Sequence, residues 1–183
     1  MRGCLPLTQV WKRVPALILV FLVASCGGSA KQAPASAPIA VRGAGFRFEA
    51  PAGWKTSHTA SAAVARRDAA GGTLVSATSF PLRKAYSPAL FDLAAKELDR
   101  VAAQLAAQAH GTLTERATVT VDGARIRAYR LIVRPASGTA YDERIGFVLE
   151  GKREFQLLCR APAGSSDPDG ACALLYSTFT TRS

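Results

Sequence analysis

The groups in this chain able to make or break bonds are few: four cysteines, two histidines and a scatter of carboxylates and hydroxyls. A nucleophile needs a base within hydrogen-bond reach. The only imidazoles are His58, in an early loop, and His110, at the end of a helix-forming run, and neither stands in a motif. Beside Gly111, His110 is placed to complement the negative end of that helix. Asp142 and Glu143 are neighbours in a strand-like stretch, so they point to opposite faces and do not form an acid and base pair. The run Ser165-Ser166-Asp167-Pro168-Asp169-Gly170 alternates oxygen side chains like a calcium loop, but Tyr176 stands where the closing bidentate glutamate belongs, and a helix start is the simpler reading. No GxSxG elbow, HExxH pair or phosphate loop occurs. The residues thus point to no catalytic group, no metal and no cofactor.

The cysteines say more. Arg2, Lys12 and Arg13 precede an apolar run from Val14 to Val23, then Ala24 and Ser25. That order, positive, apolar, small, is that of an export signal. A bilayer span needs about 20 apolar residues and this run supplies about ten, so it is too short to cross. Leu22-Val23-Ala24-Ser25-Cys26 resembles the bacterial lipobox, in which the cysteine thiol takes a diacylglyceryl group, cleavage follows just before it and Cys26 becomes the first mature residue. Cys4 leaves with the signal, so the folded part keeps Cys159 and Cys172 alone. An even pair in an oxidising compartment reads as a disulfide, and the absence of CxxC or an intervening histidine removes the metal alternative.

Of the 183 residues, 158 follow the signal, enough for one domain with a tail. The chain carries 23 Lys and Arg against 13 Asp and Glu; without the three basic residues of the signal the excess falls from ten to seven. Such a charge favours anionic lipid head groups or an acidic envelope component, and outside the cytosol nucleic acid is excluded as a partner; a coding bias toward arginine would produce the same surplus with no binding role. Arg125, Arg127, Arg130, Arg134, Arg144, Lys152, Arg153 and Arg160 crowd one region. Alternation puts Arg125 and Arg127 on one face, a possible anion-binding surface, and Arg130 and Arg134 on the other. Asp142, Glu143, Glu150 and Glu154 offer these arginines partners on adjacent strands, which would leave a solvated, internally paired surface instead.

Residues 1–25 are therefore expected to be signal peptide and 26–43, small, polar and proline-bearing, a flexible tether to a single domain at 44–183. Phe46 and Phe48 alternate with Arg47 and Glu49 in a first strand, and strands follow at 63–66 and 73–80 around Ala70-Gly71-Gly72. Ser87 as cap and Pro88 in the first turn predict a helix from there to a stop at Gly111, with Leu90, Leu93 or Ala94, Leu98, Val101, Leu105 and Ala109 on its buried stripe. Period two then returns in four strands, 114–121, 125–134, 141–150 and 152–160, joined by short turns into an antiparallel meander. Asp167-Pro168 opens a final short helix that the disulfide would pin to the strand ending at Cys159.

This order of elements, with GFRFEAPAGWK opening the domain, ARIRAYRL and YDERIGFVLEGKREFQLLC in its middle and ACALLYSTFT at its end, resembles the PsbP-like family across residues 45–180. The resemblance implies an α/β class domain, an α/β/α sandwich with a central antiparallel sheet of about six or seven strands, one long and one short helix. Many bacterial members look like small extracytoplasmic lipoproteins, and the best-known members are accessory or adaptor subunits. It implies binding in place of catalysis, with no functional residue matched position by position. The expected function is thus a non-catalytic accessory protein at the cell envelope, held by a lipid at Cys26 on the extracytoplasmic face, with an envelope protein or anionic component as partner. The alternative is a carrier or sensor of an apolar or anionic small ligand in a pocket between sheet and helix.

Overall fold

The computed structural model describes residues 36–181 apart from 71, 137 and 166; the signal segment and Cys26 lie outside the described residues. In chain order its elements are β1 (Ile39–Gly43), β2 (Phe46–Ala50), β3 (Lys55–His58), β4 (Ala62–Arg66), β5 (Leu74–Pro81), a 3-10 turn at Pro88–Leu90, α1 (Phe91–Gln108), β6 (Thr112–Val121), β7 (Ala124–Val133), β8 (Tyr141–Glu150), β9 (Arg153–Pro162), a second 3-10 turn at Pro168–Gly170, α2 (Ala171–Thr178) and β10 (Thr180–Thr181). Seven strands form an antiparallel sheet in the order β3-β4-β5-β9-β8-β7-β6, and β1-β2-β10 form a second, three-stranded sheet. The class is α+β.

Alternation on the long strands feeds two cores. On one face Tyr129, Leu131 and Val133 of β7 and Ile145 and Phe147 of β8 meet Leu98, Ala102 and Ala106 of α1. On the other, Val75 and Ala77 of β5, Phe155, Leu157 and Cys159 of β9 and Val148 of β8 meet Phe46 and Phe48 of β2 and Ala171, Cys172 and Leu175 of α2. Phe46, Phe155 and Phe179 pack there with ring centroids 5.7 to 6.0 Å apart. Each such ring removed from water stabilises the fold by about 1.5–3 kcal/mol. The Asp122-Gly123 turn between β6 and β7 places both central residues at positive φ, 49° and 74°, the twist a two-residue hairpin needs.

Several expectations need correction. The tether does not run to residue 43: Ile39–Gly43 pairs with β2, and Val41 is 4% exposed inside the core. The layer carrying α2 also holds the three-stranded sheet, and His58 lies in β3, an edge strand and not a loop. The Ser87 side chain accepts no cap hydrogen bond; the helix starts through a 3-10 turn in which the Leu90 amide donates to the Ser87 carbonyl. It stops at His110, at φ 50°, and the Gly111 amide donates back to the Ala106 carbonyl at 2.8 Å. Glycine at 111 instead permits close approach, since a Cβ there would sit 2.7 Å from the Ile132 carbonyl oxygen. The buried stripe is Phe91, Leu98, Ala102 and Ala106, which leaves Leu90 and Leu93 exposed.

The last helix starts as its sequence predicts: both Asp167 carboxylate oxygens accept from the Cys172 and Ala173 amides, at 2.8 and 3.0 Å. The Cys159 and Cys172 sulfurs lie at bonding distance, 2.10 Å, which ties α2 to β9. Gly146 of β8 is the other condition of that docking. A Cβ at 146 would meet the Tyr176 hydroxyl oxygen at 2.7 Å, and that hydroxyl is the only buried side-chain polar atom without a hydrogen-bond partner among the described residues. Burial pushes its phenol pKa up.

Gly146→Ala should therefore overpack this contact and lower stability in urea unfolding by about 1–3 kcal/mol. Tyr176→Phe should stabilise the native protein by about 1 kcal/mol, because it deletes an unpaired buried hydroxyl, and should rescue much of the Gly146→Ala loss. An unrescued double variant would place the defect elsewhere.

Candidate functional site: the Arg125 end of the sheet

Arg125 and Arg127 do lie on one face of β7, the face covered by α1, but they meet different surroundings. Arg127 is held by Asp99 of α1: its Nε and Nη2 donate to the two carboxylate oxygens at 3.0 and 3.1 Å, and Nη1 donates to Thr118 Oγ1 at 3.2 Å. The Tyr129 hydroxyl donates to the same carboxylate at 2.7 Å. The Arg127 hydrogen bond holds the Asp99 carboxyl below its ordinary pKa against the opposing effect of partial burial, and Tyr129 adds to the lowering. Burial, and then the bond to Asp99, raises the Tyr129 phenol. Arg127 is thus a structural staple between helix and sheet, and the expected anion surface reduces to Arg125.

Arg125 lies with its guanidinium carbon 4.2 Å from the Phe91 ring centroid. Its contact with Asp92 is loose, 3.9 Å between two exposed side chains, and contributes little. It lines an open cleft of about 530 Å³ at the end of the sheet, shared with Tyr86, Phe91, Val148, Leu149 and Thr181. Four segments meet there: the β6–β7 turn, the β8–β9 turn, the connection entering α1 and β10 at Thr181. The connection is fixed by the Leu82 and Tyr86 amides, which donate to the Lys152 and Gly151 carbonyls at 2.9 and 2.7 Å. Burial raises the Tyr86 phenol, with Arg125 opposing. An apolar wall, a cation stacked on an aromatic ring and a phenol suit an amphiphilic or anionic group. The cleft is not the expected pocket along the helix, because the α1–sheet interface is filled by Leu98, Ala102 and Ala106.

Several other charged residues find structural partners. Arg130 Nε donates to Asp142 at 2.9 and 3.0 Å on the α2 face, and Arg160 Nε donates to Glu143 at 2.7 Å on the other. The two adjacent carboxylates therefore point apart, each against an arginine of a neighbouring strand. Asp169, in the run that resembles a calcium loop, accepts from Trp54 Nε1 at 3.2 Å and lies 3.6 Å from Arg67. His58 is exposed on an edge strand and His110 is exposed past α1. Among the described residues no three His, Cys, Asp or Glu gather as a metal site. Sequence reasoning missed Asp99, which the helical stripe assigned to the solvent side; its place beside Leu98, one residue from the buried face, was the available signal.

No family model matches the chain, and no curated protein matches it significantly in sequence. Solved structures do resemble it. The solution structure of cyanobacterial PsbP (CyanoP) from Synechocystis sp. PCC 6803 superposes with a TM-score of 0.57 at 12% identity, over 87% of this chain and 98% of that one. A crystal structure of a protein from Bacteroides thetaiotaomicron VPI-5482 gives 0.56 at 14% identity over 81% of this chain; the chain spans about half, 49%, of that protein. At such identities the likeness is one of fold.

The Asp99 staple carries a pH dependence. A carboxyl whose folded pKa is depressed contributes stability above its unfolded pKa, near about 3.9, and loses that contribution as pH falls through the folded value. Asp99→Asn should lower stability at neutral pH by about 1 kcal/mol, given its partial exposure. It should also show a smaller further loss than the wild type when urea unfolding is repeated at about pH 3. Equal acid sensitivity in the two proteins would remove Asp99 from the account.

Proposed function

We propose that the protein is an exported lipoprotein, anchored through Cys26 on the extracytoplasmic face of the cell membrane, whose domain serves as a non-catalytic accessory or binding subunit. The observation that carries this reading is the order of residues 12–26, a basic start, a short apolar run, small residues and Cys26. The thiol is the chemical requirement, since only a good nucleophile at that position forms a thioether with the diacylglyceryl donor. Several acyl chains, each contributing about 0.8 kcal/mol per buried methylene, would make the attachment lasting. The pairing of Cys159 with Cys172 fits an oxidising compartment. The fold likeness to CyanoP supports the PsbP-like resemblance of the sequence, and with it an accessory role. The exposed, separated histidines and the paired carboxylates support binding in place of catalysis. The partner is an envelope protein or an anionic envelope component.

A second reading, a carrier or sensor of a small amphiphile, is favoured by one observation, the cleft in which Arg125 stacks on Phe91 beside Val148 and Leu149. Native mass spectrometry of protein extracted from membranes separates the two: a bound lipid of defined mass, lost in Arg125→Glu, favours the carrier. A ligand-free domain favours the accessory subunit. For the anchor itself, Cys26→Ser should leave unprocessed precursor and abolish labelling by a clickable fatty acid; unchanged processing and labelling would refute it.

A further inference from the structure

Leu90 and Leu93, residues that helical spacing assigns to the core, are 46% and 63% exposed, and Phe80 is 43% exposed. These are the exposed large apolar side chains of the described residues, and all three fall within residues 80–93, which take in the end of β5, the connection and the first turn of α1. On the helix wheel Leu93 lies opposite Phe91 and Leu98, so it points away from the sheet on the α1 face. Phe80 points to the same side of the sheet, since its β5 neighbour in register is Glu154, which alternates with the core residue Phe155. From Arg83 to Leu90 every residue except Tyr86 is exposed, and the segment lies outside the β8–β9 turn to which it is hydrogen-bonded. Tyr86 and Pro88 of the segment line the Arg125 cleft, and its other residues from Arg83 to Leu90 face solvent.

Cations flank this segment: among the described residues Arg83, Lys84 and Lys152 make no salt bridge. Single exposed apolar side chains flanked by unpaired Lys and Arg match an anionic bilayer surface: the apolar groups enter the acyl boundary while the long cationic side chains stay at the phosphates.

We propose that the 80–93 segment is a membrane-contact surface that seats this end of the domain on anionic phospholipid. The proposal rests on the lipid-anchor reading, and the chain length allows it. Ile39 lies at the other end of β1 from the Ala44 turn, which touches Arg153. A five-residue strand spans about 17 Å. The 13 residues from Cys26 to Ile39 reach at most about 45 Å. The anchor can thus be fixed in the bilayer while the far end lies against it.

The test places a photoreactive residue in the full chain in cells, Leu93→benzoylphenylalanine, with Ala173→benzoylphenylalanine on exposed α2 as control, and reads adducts by intact mass. The expected result is a mass shift of one phospholipid at position 93 and none at 173, with the shift lost when Arg83→Glu and Lys84→Glu are added. A protein adduct at 93, or a phospholipid adduct equal at both positions or absent from both, would overturn the proposal. The same spectrum shows whether Cys26 carries lipid, so failure of the anchor and failure of the contact are separate results.

Discussion

The constraint on which this structure depends is that the central part of β8 is buried on both faces. Alternate residues of β8, Ile145 and Phe147 on one side and Val148 on the other, are 7% exposed or less. A two-faced strand needs a cover on each side, and the chain has two short means of making one. Helix α1 takes the face over β7 and β8. On the opposite face α2 and the three-stranded sheet close over β4, β5 and β9, where the bond between Cys159 and Cys172 fixes the helix to the strand beneath it.

Burial also explains where charges pair. The Arg160–Glu143 and Arg130–Asp142 pairs each bridge adjacent strands, and the carboxylates, 7% and 8% exposed, need those partners. Arg127 is at the margin of α1 and is claimed by Asp99. With these three arginines assigned, Arg125 lies in its cleft, and Arg83, Lys84 and Lys152, which make no salt bridge among the described residues, lie around the entry to α1.

The strands were legible because their alternation is strong and their turns carry the residues the turns require: Asp122-Gly123 at positive φ, Gly151 at φ 51°. The four-stranded meander and the two helices follow from that signal. What was not legible depended on long-range partners. The strand at Ile39–Gly43 is short and mixed, and only its pairing with Phe46–Ala50 makes it a strand. Leu90 and Leu93 are as apolar as Phe91, yet Phe91 is buried and they are exposed, a choice made by packing against the sheet and not by local pattern. The Arg125 cleft is assembled from four segments far apart in sequence, so no local pattern announces it. For the same reason Asp99 could be read only as a solvent-facing carboxylate.

Outside the described residues, the functional reading rests on the chemistry of a single thiol, and intact mass spectrometry of the natural protein extracted from its membrane addresses it most directly. The account predicts a chain that begins at Cys26, heavier than its sequence by a diacylglyceryl group and any amide-linked acyl chain, and lighter by the two hydrogens of one cystine. A chain that begins at Met1, at its bare sequence mass with free thiols, would contradict it.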